Sequence, residues 1–191
     1  MPPPWTMFKY CELSDLLRFA ADQHEPPFLL VLDGLEDPHN FGAILRTAEA
    51  AGVHGIVIRK NRQVPVTETV IKVSTGAADL VPVARVPNIA EAIRRLQDEA
   101  LTVIGLEIDG KRLYNQADYT GGVAFVVGSE GSGLSRLVKE RCSEIVRLPM
   151  RGKINSLNAS VATGIVLYEA LRQRSLDEAR DEGGEMKWQR K

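Results

Sequence analysis

The chain has 191 residues, 24 Lys and Arg against 25 Asp and Glu, a formal net charge of -1, 44% hydrophobic residues, 16 Gly, 10 Pro and 2 Cys. This composition excludes the intrinsically disordered, collagen-like and disulfide-scaffold classes. At about 100–200 residues per domain it predicts one domain with a sizeable core and short tails.

In chain order, the Met-Pro-Pro-Pro-Trp start has neither a basic nor an apolar leader region, and no secretory signal is expected. Residues 1–26 read as a linker-like segment with an amphipathic turn or two around Leu13–Phe19. Apolar runs bounded by Gly, Pro, Asn or Asp follow at Phe28–Leu32, Gly55–Ile58, Val81–Val86, Leu101–Leu106, Gly122–Val127 and Glu144–Leu148. They read as six strands buried on both faces of a mostly parallel sheet. Between them, Asn40 is expected to cap a helix carrying Phe41, Leu45 and Ala48 inward and ended by Gly52. Asn88 is expected to cap a second helix, from Ile89 to Glu99. A third is predicted from Leu157 to Leu171, with Leu157, Val161, Ile165, Tyr168 and Leu171 on its core stripe. Alternating strands and helices predict an α/β domain with helices on both faces and ligands at the carboxyl ends of the strands. Residues 175–191 read as a polar, disordered tail.

The longest unbroken apolar runs fall far below the ~18 residues of a membrane span, so no membrane association and a cytoplasmic location are expected. Cys11 and Cys142 lack metal-ligand spacing, as do His24, His39 and His54, and no metal is expected. Arg136, Lys139, Arg141, Arg147, Arg151 and Lys153, opposed by Glu140 and Glu144, leave a net +4 on one segment; Arg59, Lys60 and Arg62 form a second basic knot. Taken singly, such clusters are more often solvated faces than phosphate sites.

Three loops each follow a strand and lead towards a helix. In the first, Asp37, Pro38 and Asn40 make a tight turn, and Arg46 lies off the core stripe, either as a surface arginine or as a cation beside a ligand. The second, Gly128-Ser129-Glu130-Gly131-Ser132-Gly133, lets backbone amides approach a polar ligand. Its G-x-x-G-x-G order fits neither the dinucleotide nor the P-loop fingerprint, which argues against a nucleotide-dependent oxidoreductase. Glu130 in its middle would repel phosphate but could pair with an arginine or a sulfonium. The third runs from Leu148 into an apolar helix and carries Asn155, Ser156 and Asn158, more polar side chains than one helix cap requires; Ser156 is the expected cap.

Together, Asp37-Pro38-His39-Asn40-Phe41-Gly42-Ala43-Ile44-Leu45-Arg46-Thr47-Ala48, Gly128 to Leu134, and Leu148-Pro149-Met150 with Ser156-Leu157-Asn158-Ala159-Ser160-Val161-Ala162 resemble the three signature motifs of the SpoU (TrmH-like) branch of the SPOUT RNA 2′-O-ribose methyltransferases. The similarity covers about residues 27–174, taken as the catalytic domain, and is greatest to bacterial enzymes that methylate a guanosine of 23S rRNA. The resemblance implies S-adenosylmethionine as methyl donor, RNA as substrate, a homodimer and a C-terminal deep trefoil knot. General topology rules make a knot rare, so it enters by likeness alone. The cofactor pocket implied is formed by Leu106 and the loop after it, Gly128, Leu148, Met150 and Leu157. Arg46 matches the family's catalytic arginine. Charged guanidinium has no acceptor lone pair, so a phosphate clamp and alkoxide stabiliser is the role that suits it. Glu130 is expected to orient Arg46 by an ion pair and is the better proton acceptor; Asn40, Ser156 and Asn158 are expected to position ribose or the cofactor carboxylate.

Asn155 and Ala159 depart mildly from relatives that carry serine and valine there. Close rRNA-modifying relatives carry a small RNA-binding domain ahead of the catalytic one, and this chain starts where their linker would be. It therefore reads as an isolated catalytic domain, or as a protein that selects RNA through its two basic clusters. A tRNA methyltransferase and a catalytically silent RNA-binding or assembly protein are the alternatives. Joint presence of Arg46, Glu130 and Asn158 argues against the silent reading, since binding alone does not need that set.

Overall fold

A computed structural model describes residues 8–182. Seven strands form one sheet in the order β3-β2-β1-β6-β4-β7-β5. They are β1 (Phe28–Asp33), β2 (Gly55–Arg59), β3 (Val83–Val86), β4 (Thr102–Leu106), β5 (Arg112–Leu113), β6 (Val123–Gly128) and β7 (Glu144–Arg147). Every pairing between them is parallel. The expected count of six is one short. β5 has only two residues and lies between a glycine and a polar loop, so no apolar run announces it.

The central strands are buried along their whole length, and their residues alternate between two cores. Phe28, Leu30, Leu32, Phe125 and Val127 face one core, shared with α2 (Pro38–Ala51), α3 (Glu68–Ser74) and α6 (Ala159–Glu182). Leu29, Val31, Ala124 and Val126 face the other, shared with α1 (Leu13–Asp22), α4 (Ile89–Asp98) and α5 (Arg136–Arg141). Part of the linker-like segment is thus built into the fold. Leu13, Leu16 and Ala20 of α1 are buried, and Leu16 occupies the space that a side chain on Gly55 would need. Residues 1–7 and 183–191, including most of the expected tail, lie outside the described residues; the helix α6 continues past residue 174 to Glu182. No helix is long and apolar enough to cross a membrane among the described residues.

The caps differ in part from expectation. Asn88 caps α4 by accepting from the Glu91 amide, and Gly52 ends α2 at φ 78°. The cap of α2 is Asp37, however, which accepts from the His39 amide at 2.9 Å, with Pro38 at the first helical position. Asn40 is thereby moved into the first turn and buried. α6 begins at Ala159, and its first amides are met by Asn158 rather than Ser156: Oδ1 of Asn158 accepts from the amide nitrogens of Ser160 at 2.9 Å and Val161 at 3.3 Å.

The largest correction concerns the stripe on α6. Ala159, Thr163, Val166, Leu167 and Ala170 face the core, while Val161 (52% exposed), Ile165 and Tyr168 face outward. Both sides of the helix are apolar. The small-residue side is the one that fits against α2, where Thr47 lies beside Gly164.

Beyond β4 the chain makes an unusual crossing. Leu106 pairs with Val146 on one edge of β7, and Arg112 pairs with the same Val146 on the other edge. Residues 107–111 therefore pass over β7. The passage is close: a Cβ on Gly110 would lie 2.5 Å from the Val146 carbonyl carbon and 2.8 Å from the Arg147 nitrogen. Backbone cannot yield as a flexible side chain can, so the position requires glycine.

Candidate active site

The carboxyl ends of β4, β6 and β7 release three loops that enclose one cavity of about 600 Å³, within the ~300–1,000 Å³ usual for small-molecule sites. Its walls are Leu106, Glu107 and Ile108 after β4, residues 127–133 around the glycine-rich loop, and Leu148, Met150 and residues 155–159 before and into α6. All five residues expected to hold a cofactor, Leu106, Gly128, Leu148, Met150 and Leu157, line it, as do Glu130, Ser156 and Asn158. Among the described residues no group of three or more His, Cys, Asp or Glu side chains could hold a metal ion.

The glycine-rich loop has its shape because it folds back on itself. Ser129 and Gly133 exchange both backbone hydrogen bonds, at 2.9 and 3.1 Å, with Gly131 at φ 87° and Gly133 at φ 66°. A Cβ on Gly128 would stand 2.1 Å from the Gly133 carbonyl carbon, so a side chain there would force the loop open. Glu107 secures it from the other wall by accepting from the Leu134 amide. Asp33, 4% exposed at the end of β1, secures the start of α5: it accepts from the Ser135 amide at 2.9 Å and pairs with Arg59 at 3.0 Å. Neither Glu107 nor Asp33 was singled out as a site residue. Both immediately follow or end a strand, the position where site-building residues of α/β folds concentrate.

At the rim of the cavity three polar side chains form a chain of hydrogen bonds. Asn158 Nδ2 donates to Asn40 Oδ1 at 3.0 Å, and Asn40 Nδ2 donates to a carboxylate oxygen of Glu130. The direction is set at both ends: Oδ1 of Asn158 is committed to the start of α6, and an ionised carboxylate only accepts. Glu130 is thus aimed by an amide 90 residues away in sequence and, through it, by α6. Its carboxyl lies above the usual carboxylate range, because of partial burial first and then of the nearby Asp37 and Glu36 charges. No ion pair joins Glu130 to Arg46 among the described residues; Asn40 takes that orienting place. Arg46 stands exposed on α2, six residues on from Asn40, roughly 9 Å along the helix axis, and it does not line the cavity. Ser156, displaced from the cap, lies exposed on the cavity wall.

The cavity can accept a ligand with an apolar, polarisable body and a few polar handles: Leu106, Ile108, Leu148, Met150 and Leu157 offer soft contacts, and the strand-end backbone around Gly128 offers amides and carbonyls. Glu130 beside it, oriented and reluctant to ionise, is suited to receive a proton.

An α/β sheet with these three loops at its carboxyl edge places the chain in a known class, and it belongs to the SpoU rRNA methylase family, whose model matches residues 27–168. Among similar proteins, the TrmH-family protein YacO of Bacillus subtilis is 48% identical over 88% of this chain and 68% of its own length. The 23S rRNA (guanosine-2′-O-)-methyltransferase RlmB of Escherichia coli is 46% identical over 90% of this chain and 69% of its own. Among solved structures, the SpoU methyltransferase AviRb of Streptomyces viridochromogenes in complex with AdoMet has a TM-score of 0.74 at 30% identity, over 78% of this chain and 58% of that one. An AdoMet-bound rRNA methyltransferase of Sinorhizobium meliloti has a TM-score of 0.75 at 31% identity, over 86% and 61%. This chain therefore spans about three fifths of those two crystallised chains.

Proposed function

We propose that the protein transfers a methyl group from S-adenosylmethionine to the ribose 2′-oxygen of a guanosine in 23S rRNA, acting as a homodimer in the cytoplasm. The observation that carries this reading is the Asn158–Asn40–Glu130 chain of hydrogen bonds, which ties the three motif loops together at the mouth of the cavity. Identity of 46–49% to named 23S rRNA guanosine methyltransferases supports the substrate, and the AdoMet complexes of related structures support the donor.

When bound, S-adenosylmethionine supplies an already activated methyl on a sulfonium. The protein's task is then to bring a weak nucleophile into line and accommodate the charge that develops on it. Leu106, Leu148, Met150 and Leu157 would surround the donor's adenine and thioether, with backbone at Gly128 holding its polar edge. Glu130 receives the 2′-hydroxyl proton. Arg46, free of ion pairs among the described residues, grips the neighbouring phosphate and stabilises the nascent alkoxide. Asn40 and Asn158 hold Glu130 in its pose, and Ser156 offers a hydroxyl to the ribose or the donor carboxylate.

The catalytic unit is taken as residues 27–174. A deep trefoil knot fits the crossing of β7 by residues 107–111, beneath which the chain continues into the cavity wall and α6. The homodimer fits the outward Val161, Ile165 and Tyr168 stripe, together with Ile154 (75% exposed) just ahead of it. Apolar surface of this kind on a helix otherwise packed to the core is suited to a partner copy.

Transfer of labelled methyl from S-adenosylmethionine to deproteinised 23S rRNA, followed by nucleoside analysis, tests the reading. 2′-O-methylguanosine from rRNA is the expected product. Product confined to tRNA would replace the substrate, and no product from either RNA would leave a silent binding protein.

A further inference from the structure

We infer that Arg59 at the end of β2 and the loop after it, residues 60–63, with Arg85 on β3, form the track that holds the phosphates of the RNA strand flanking the target ribose. The inference rests on the methyl-transfer reading above and adds to it the path of the polymer.

The loop is fastened beside the site. The Gly34 amide donates to Gln63 Oε1 and the Val64 amide to the Leu35 carbonyl, both at 2.9 Å. Gly34 in turn lies between Arg62 and Ser129 of the glycine-rich loop, since a Cβ there would meet the Arg62 oxygen at 4.0 Å and the Ser129 Cβ at 3.8 Å. The cations are set out across the ends of two neighbouring strands, about 4.8 Å apart in such a sheet. Lys60 and Arg62 are exposed and carry no ion pair among the described residues. Arg85 is held in place by the Lys60 carbonyl at 3.3 Å and by the Tyr10 ring, whose centroid lies 4.6 Å from its guanidinium carbon.

This loop also has surplus donors. Among the described residues, the buried side-chain nitrogens and oxygens with no hydrogen-bond partner are Arg59 Nε and Gln63 Nε2. Buried polar atoms are normally satisfied, and an unmet donor favours the arrival of an acceptor. Arg59 is anchored through Nη2 to Asp33 and keeps 27% of its side chain exposed, so an anionic oxygen can approach the guanidinium.

Two contrasts select this surface. In the longer basic segment, Arg136 is paired with Glu140 at 2.8 Å and Lys139 with Asp109 at 2.7 Å, which takes two of its cations out of play. Around the proposed sugar site itself, Glu36, Asp37 and Glu130 repel phosphate and direct it to the flank where Lys60 and Arg62 stand. A row of cations beside a carboxylate-lined sugar site fits a polyanion that must present a ribose to Glu130 while its charges rest elsewhere.

The test compares the wild-type chain with the double variant Lys60→Ala, Arg62→Asn. Asparagine is chosen because Arg62 has φ 55°, a conformation that Asn tolerates and Ala does not. Binding to end-labelled fragments of deproteinised 23S rRNA is measured by filter retention across a salt series, and S-adenosylmethionine affinity by calorimetry on the same samples. We expect about tenfold weaker RNA binding at 0.15 M salt, and a salt slope reduced by about 1.4–1.8 at ~0.7–0.9 per lost phosphate contact. Donor affinity should be unchanged, and an Arg95→Ala control on α4 should match wild type. If the double variant fails to fold, Lys60→Gln alone should lower the slope by ~0.7–0.9. Wild-type RNA affinity and slope in a folded variant would overturn the track and leave methyl transfer standing. An equal loss with Arg95→Ala would overturn it too, as bulk attraction. A wild-type chain that binds donor but neither binds nor methylates rRNA would remove the track and the function together.

Discussion

Arg46 and Glu130 share the proposed chemistry but differ in setting, and substitution should separate them. Arg46 is exposed and outside the cavity, so Arg46→Ala should lower turnover by ~10²–10³ while leaving donor affinity, read by calorimetry, as in wild type. Glu130 is the pH-sensitive member. Its carboxyl is raised above the ordinary 4.5 by burial and by Asp37 and Glu36, so it takes up a proton at higher pH than an unperturbed glutamate does. A proton acceptor must be ionised, so methyl transfer should fall as the pH drops through that raised value. Glu130→Gln should lower the rate and flatten this acidic limb in a pH–rate profile. Stability runs the other way. A raised folded-state value means that the fold favours the protonated form, and that contribution is lost as pH rises through it. Glu130→Gln, which can still accept from Asn40, should therefore melt no lower than wild type at neutral pH.

At the scale of elements, Asn158 joins two tasks, as the cap of α6 and as the donor to Asn40. Asn158→Asp keeps a good cap, because either carboxylate oxygen accepts from the Ser160 amide, but loses the Nδ2 donor. We expect melting close to wild type with a clear loss of kcat; Asn158→Ala should lose about 1 kcal/mol of stability as well. Equal activity in Asn158→Asp and wild type would remove the amide chain from catalysis. The start of α2 was legible in Asp37-Pro38, yet Asn40 drew the capping assignment because asparagine near a helix start reads first as a cap. Its burial comes from contacts with residues 130 and 158, which no local pattern encodes. For α6 the failure was of another kind: two apolar faces lie on one helix, and the face of Val161, Ile165 and Tyr168 is not the one in the core. The strands were read more easily, since burial on both faces leaves an unbroken apolar run. Tertiary pairing alone makes β5 a strand.

For the whole molecule, the outward face of α6 predicts behaviour in solution. Val161→Glu places a charge where Val161, half-exposed in the single chain, would meet a partner copy. We expect sedimentation to report a dimer for wild type and a monomer for the variant, with methyl transfer reduced in step. A wild-type monomer would remove the homodimer from the reading. The glycine-rich loop, the motif order and the layered α/β architecture were all present in the linear chain; the cavity volume, the amide chain and the free face of α6 required the assembled sheet.

The passage of residues 107–111 over β7 also imposes an order of events on biosynthesis. β4 and β5 leave the ribosome before β7 exists, so until residues 144–147 are made the nascent sheet holds an open slot with unpaired backbone on both sides. Bare strand edges of this kind invite adhesion to other chains. A chain ended after Ser143 should therefore accumulate in inclusion bodies rather than as a trimmed soluble fragment, and fractionating lysates that express it would show whether the segment from Glu144 onward is what closes the sheet against its neighbours.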